Sequence, residues 1–261
     1  MKERIISAII ALIIVVPLIL LGGIFYKVGV CIIALLALKE ILDLPKSHEK
    51  YPNFIIGVAA ILLVTFILSN SRASIYDCFS YQLLALSILF LLLPVIFYKD
   101  HKYSSRDGLY LLGVIYFLGI VFNLFVIFRM KNLNLFIFLL IIPMINDIFA
   151  YLIGCKFGKN KLCPLISPKK TWEGSIGGLV IGTLVGLLIY NFLVGSISIK
   201  IIIEVIILSI AGQMGDLVMS SIKRENGVKD FSNIMPGHGG ILDRLDSIIF
   251  VFITYIVLLG F

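Results

Sequence analysis

Nine apolar runs dominate the chain, each close to the roughly 20 residues that a helix needs to cross about 30 Å of hydrocarbon. They cover residues 5–23, 24–42, 54–70, 80–98, 109–129, 134–155, 175–195, 201–222 and 243–260. Hydrophobic residues make up 60% of the 261 positions, charged residues only 14%, and the mean hydropathy is +1.10. A soluble fold cannot hide that much apolar surface. The expected fold is an all-α, polytopic integral membrane protein of about nine transmembrane helices.

The basic residues give this topology a direction. With nine spans, 17 of the 22 Lys and Arg fall on the face that carries the N-terminus, leaving Lys27, Arg72, Arg129, Lys131 and Lys200 opposite. The positive-inside rule then places the N-terminus and every long polar loop in the cytoplasm, at a cell's inner (plasma) membrane. The first run follows Met-Lys-Glu-Arg but is too long for a signal peptide and has no small-x-small cleavage site, so it reads as a retained helix. Cys31, Cys78, Cys155 and Cys163 show no C-x-x-C spacing and read as packing residues. The net charge of +7 suits anionic lipid and phosphate. Nucleic acid is excluded as a partner because the basic residues lie in short tethered loops with no reading module.

Polar residues divide the chain unevenly. Residues 1–130 form an expected five-helix scaffold with no acid inside a span, Glu40 standing at a helix end. Residues 131–261 carry the chemistry within the same membrane domain, with loops at 156–174 and 223–242. Gln213, Asp216, Ser220 and Lys223 recur at spacings of three and four, so they share a helix face, with Asp216 about 10 Å along the axis from Lys223. Asp216 reads either as a metal ligand or as a buried carboxylate paired with a Lys or Arg. Asp243 and Asp246, one turn apart with Arg244 turned away, read as metal ligands, as acids at a helix N-terminus, or as both. Asn146 and Asp147 follow Pro143, a kinking residue, and either line the same cavity or make an interhelical hydrogen bond. Glu204 and Lys200 form an ordinary i,i+4 pair.

Two loops hold the remaining candidates. Residues 167–174 read S-P-K-K-T-W-E-G, where Lys169 and Lys170 offer charge to a phosphate, Thr171 can cap the following helix and Trp172 suits an interfacial anchor. Residues 236–240 read P-G-H-G-G, a sequence that allows a ligand close to the backbone, with His238 as a donor to phosphate or a satisfied loop histidine. Gly174, Gly178, Gly182 and Gly186, at strict spacing of four, predict close helix packing.

Taken together, these motifs resemble the phosphatidate cytidylyltransferases, or CDP-diacylglycerol synthases. The resemblance rests on Ser220, Lys223, Arg224, Lys229 and Asp230, on P-G-H-G-G-I-L-D-R at 236–244 with Asp246, on the S-P-K-K-T-W-E-G loop and on Gly215-Asp216. It covers about residues 143–250; Met219 stands where many relatives carry an acid, and no role is assigned to it. The resemblance implies transfer of a cytidylyl group from CTP to phosphatidate with loss of pyrophosphate. It implies Mg2+ on Asp216, Asp243 and Asp246, with Asp147 second, and room for a second, monovalent or divalent cation. Lys223, Arg224 and Lys229 would bind phosphate, as would Ser167, Lys169, Lys170, Thr171, Ser220, His238, Gly239, Gly240 and Arg244. A homodimer is implied by the resemblance alone. Three other readings use part of the same chemistry. A CTP-dependent polyprenol or phytol kinase lacks the complete H-G-G to D-R-x-D signature, a transporter predicts polar residues in both leaflets, and a CDP-alcohol phosphotransferase needs a D-G-x-x-A-R motif that this chain does not have.

Overall fold

The computed structural model describes residues 2–44, 51–69, 81–98, 103–237 and 239–260. His238, Cys78 and the basic residues Lys46, Lys50, Arg72, Lys99 and Lys102 of the charge argument lie outside the described residues. Among those described are nine α-helices: α1 (Lys2–Leu21), α2 (Gly23–Leu42), α3 (Asn53–Leu68), α4 (Tyr81–Leu92), α5 (Ser105–Lys131), α6 (Leu133–Phe157), α7 (Trp172–Leu193), α8 (Ile199–Glu225) and α9 (Leu242–Leu258). A 3₁₀ turn, Leu93–Ile96, extends α4. Four helices, α5 to α8, are long and apolar enough to cross a membrane by length and composition. Ile9–Leu21, Asn53–Leu68 and Tyr81–Ile96 are shorter apolar stretches. Among the described residues the fold is all-α save for one hairpin, in which β1 (Lys161–Cys163) pairs antiparallel with β2 (Ser167–Thr171). Sequence reasoning placed a loop there, because strands this short carry no readable alternation.

The helix ends follow from local chemistry. Asn132 opens α6 by accepting the Leu135 N–H at 3.1 Å, and Ser198 opens α8 by accepting that of Ile201 at 3.4 Å. Before α5, the Ser104 N–H donates to Asp107 Oδ2 at 2.8 Å, while Ser104 Oγ takes the Asp107 N–H at 3.4 Å, the reciprocal arrangement of a capping box.

The chain folds as two compact units, Met1–Met130 with Phe231–Ile241, and Lys131–Asp230 with Leu242–Phe261. In the first unit, polar side chains are tied to backbone. Asn123 donates to the carbonyls of Phe66 and Ile67 at 3.2 and 3.0 Å, and Tyr103 donates to Leu91 O at 2.7 Å. Arg129 donates to the carbonyls of Ile19 and Leu20 at the C-terminal end of α1, where a cation meets the negative end of the helix dipole.

In the second unit, α6 and α7 pack closely along the glycine stripe. A β-carbon at Gly174 would lie 2.6 Å from Ala150 O, one at Gly178 would lie 2.7 Å from Ala150 Cβ, and one at Gly182 would collide with Asn146 Oδ1. The spacing of four therefore produces the helix contact that it predicts. Ile176, Val180, Leu184, Leu188 and Phe192 repeat at the same interval and are exposed.

Candidate active site

The second unit builds its site on one face of α8. Ser175 Oγ of α7 donates to Gln213 Oε1, and Gln213 Nε2 returns a bond to Ser175 O at 3.1 Å, fixing α7 against α8. One turn on, Asp216 Oδ2 lies 2.5 Å from Lys170 Nζ of β2, and Asp216 Oδ1 accepts from Ser220 Oγ at 3.1 Å. Two turns beyond Asp216, Lys223 Nζ lies 2.7 Å from Asp243 Oδ1 of α9. The face read from the spacing of Gln213, Asp216, Ser220 and Lys223 thus meets α7, β2 and α9 in turn.

The two ion pairs differ in setting. Lys170 and Asp216 retain 27% and 23% of their side-chain exposure, whereas Lys223 and Asp243 retain only 9% and 2%. Burying the second pair removes both charges from water, so each holds the other in place. The first pair is accessible enough to exchange partners.

Two further carboxylates interact with the more open pair. Asp147 interacts electrostatically with Asp216 and Lys170, and Asp246 with Asp216, Asp147 and Lys223. Ser247 links them, its Oγ standing 3.5 Å from Asp147 Oδ2 and also from Asp246 Oδ1. Asp147 is exposed and Asp246 half-buried. Of the four expected metal ligands, Asp147 and Asp246 thus interact with Asp216, while Asp243 pairs with Lys223. No group of three or more His, Cys, Asp or Glu among the described residues is arranged to hold a metal ion.

The hairpin carries the other candidates. Thr171 Oγ1 accepts the Gly174 N–H at 3.1 Å and caps α7 as its sequence position predicts. Glu173 accepts the N–H groups of Lys159 and Asn160 at 3.1 and 3.2 Å, tying down the chain that enters β1. Lys169 is exposed and Ser167 half-buried. Arg224 Nε donates to Ile166 O at 3.2 Å and its Nη1 to Val228 O at 3.1 Å, so this guanidinium anchors backbone at the hairpin turn. Lys229 and Arg244 are exposed, Arg244 on the side of α9 away from Asp243.

Two findings lay beyond the sequence reading. Asn146 is buried, and neither of its side-chain amide atoms has a hydrogen-bond partner among the described residues, so the interhelical bond allowed for it is not made there. Glu40, in the first unit, is 1% exposed and accepts from Ser232 Oγ and the Ile241 N–H at 2.6 and 2.7 Å. At Gly240 the close approach that glycine allows is made by this carboxylate, 2.5 Å from where a β-carbon would sit. A sequence signal existed, since an acid in the last turn of a helix faces the negative end of the dipole and needs compensating donors.

The profile of the cytidylyltransferase family matches residues 2–261. A phosphatidate cytidylyltransferase of Staphylococcus saprophyticus subsp. saprophyticus is 37% identical over 252 residues, covering 96% of both chains. One of Staphylococcus aureus is 38% identical over 253 residues with the same coverage, and one of Staphylococcus haemolyticus is 37% identical. The chain belongs to the cytidylyltransferase family and is a nucleotidyltransferase.

Proposed function

We propose that this enzyme is a phosphatidate cytidylyltransferase, joining CTP to phosphatidate to give CDP-diacylglycerol and pyrophosphate. Family membership and the names of the relatives support the substrates. The observation that carries the chemistry is the Lys170–Asp216 pair beside Asp147 and Asp246, with Lys223 held by Asp243 on the same face of α8. A phosphate oxygen of phosphatidate attacks the α-phosphorus of CTP. The new P–O bond forms as the bond to the β-phosphate bridge breaks, and the electron pair leaves with pyrophosphate. The phosphate monoester dianion is already a nucleophile, so no side chain need remove a proton.

The residues contribute placement and charge, which dominate such transfers. Lys170 turns from Asp216 to a substrate phosphate, and Asp216, secured by Ser220, is released as an oxygen donor. Lys223, fixed by Asp243, presents a positive charge that cannot move away. The oxygen donors of Asp216 and Asp246, with Asp147 beside them, fit Mg2+, which takes one or two carboxylates and completes its shell with water and phosphate. Bound there, Mg2+ would supply positive charge against the charge developing on the phosphates. The segment at residues 236–240 and the exposed Lys169 and Lys229 are the proposed contacts to the remaining phosphate groups.

The proposed topology has nine spans and a cytoplasmic N-terminus at the plasma membrane, with the site facing the cytoplasm. The one-sided placement of the basic residues supports it. Resemblance to the family supports a homodimer.

Purified protein incubated with CTP, phosphatidate and Mg2+ should release pyrophosphate and form a nucleotide-lipid, and chelation of the metal should stop it. Label at the α-phosphorus of CTP should enter lipid. Entry of label from the γ-phosphorus alone would identify a lipid kinase and remove this reading.

A further inference from the structure

The first unit contains two buried carboxylates that the proposed chemistry does not use, Asp107 in the capping box of α5 and Glu40. Glu40 sits in the last turn of α2, where the helix dipole opposes a negative charge, and only 1% of the residue is exposed. Its stabilising donors come from a segment about 200 positions away in the chain, part of the same unit. Ser232 Oγ and the Ile241 N–H both donate to Glu40 Oε1, at 2.6 and 2.7 Å. One oxygen therefore gathers both ends of a ten-residue segment.

Between those ends the segment is closed by its own backbone. Met235 N–H donates to Gly239 O at 2.9 Å and Gly239 N–H to Met235 O at 3.1 Å. Gly237 and Gly239 take φ of 75° and 83°, in the region that favours glycine. Ser7 Oγ of α1 donates to Pro236 O at 3.1 Å. At Gly240, the three carboxylate atoms of Glu40 would lie 2.5 to 2.8 Å from an added β-carbon, so the acid and the glycine are fitted to each other. The held segment then runs straight into α9, two residues before Asp243.

We propose that Glu40 is the positioning residue of this turn, setting the conformation in which residues 236–240 receive a substrate phosphate. The inference rests on the cytidylyltransferase reading above. Glu40 acts through the turn: a carboxylate repels a phosphate, but by drawing the Ile241 N–H and the Ser232 hydroxyl to itself it fixes how the intervening backbone is presented.

The test compares kcat and the KM for CTP and for phosphatidate in the purified full-length protein, using Glu40→Ala, Glu40→Gln and Ser232→Ala. A charge-assisted bond to each end of the turn corresponds to about 10- to 100-fold in binding. Glu40→Ala should raise the KM of one substrate by about tenfold or more, with a smaller change in kcat. Glu40→Gln keeps an accepting oxygen and should return that KM to within about threefold of wild type, while Ser232→Ala should raise the same KM about two- to fivefold. A residue with only a structural role would lower the yield of folded enzyme and leave both KM values in place. That result overturns the proposal, as does a Gln variant no better than Ala. If Glu40→Ala does not fold, Ser232→Ala decides: a selective rise in KM supports the proposal and unmoved KM values overturn it. A wild-type protein that transfers no cytidylyl group overturns the proposed function and this inference with it, whereas an active wild type with unmoved variants overturns the inference alone.

Discussion

The two units differ in what their charged side chains meet. In the first, Asn123, Tyr103, Arg129 and Glu40 all reach main-chain groups, which are permanent partners. In the second, Lys170 meets Asp216 and Lys223 meets Asp243, so charges are satisfied by other charges. A side chain bonded to backbone fixes a helix in place and has little reason to let go. A lysine in a partly solvated pair, as Lys170 is with Asp216, can give up its aspartate when a phosphate offers more charge, whereas the buried Lys223–Asp243 pair stays fixed. The contrast sets side chains bonded to backbone in one unit beside charge pairs in the other.

The comparison can be broken most severely at Asp246. Asp246→Asn should cut turnover by about 1000-fold while the protein remains folded, because it removes an oxygen donor of the open cluster without emptying its volume. Near-normal turnover in membrane-inserted protein would show that the cluster is not the reaction centre. Lys170→Met should lower turnover by about 100-fold yet change stability by no more than about 1 kcal/mol, since its pair is partly solvated. Equal loss of activity and thermal stability would make this lysine architectural.

Lys223→Met sharpens the contrast between the two pairs. It leaves Asp243 buried without its cation, so it should destabilise the fold by about 3–5 kcal/mol as well as lower activity, measurable as a lower denaturation temperature in detergent. A stability matching that of Lys170→Met would erase the distinction drawn from burial. In the first unit, Asn123→Leu should cost about 1–3 kcal/mol by leaving the Phe66 and Ile67 carbonyls without this donor, with turnover per folded molecule unchanged. Thr171→Ala should have the smallest effect, about 1 kcal/mol from the lost cap of α7, read by thermal unfolding.

Local features were legible in advance where a few neighbouring residues decide them. Thr171 caps α7, the glycine stripe packs against α6, Lys200 and Glu204 form their i,i+4 pair at 3.9 Å, and one face of α8 carries the polar contacts. Each depends on helix periodicity or on a side chain reaching its own backbone. The pairings were not legible. Asp216 was read with an ion pair and a metal both open, and nothing local says that its lysine comes from β2, or that Asp243 goes to Lys223 while Asp147 takes its place beside Asp246. Glu40 was passed over as a helix end because its donors lie near residues 232 and 241.

The sequence alone determined the helical, apolar character of the chain, the gathering of polar residues within its later apolar runs and the family, because composition, periodicity and contiguous motifs survive without a fold. Only the tertiary structure decided which carboxylate faces which cation and which glycine makes room for an acid. Those choices depend on distances between groups far apart in the chain, and electrostatic energy depends on that separation and on the water left around it, neither of which is written in the order of residues.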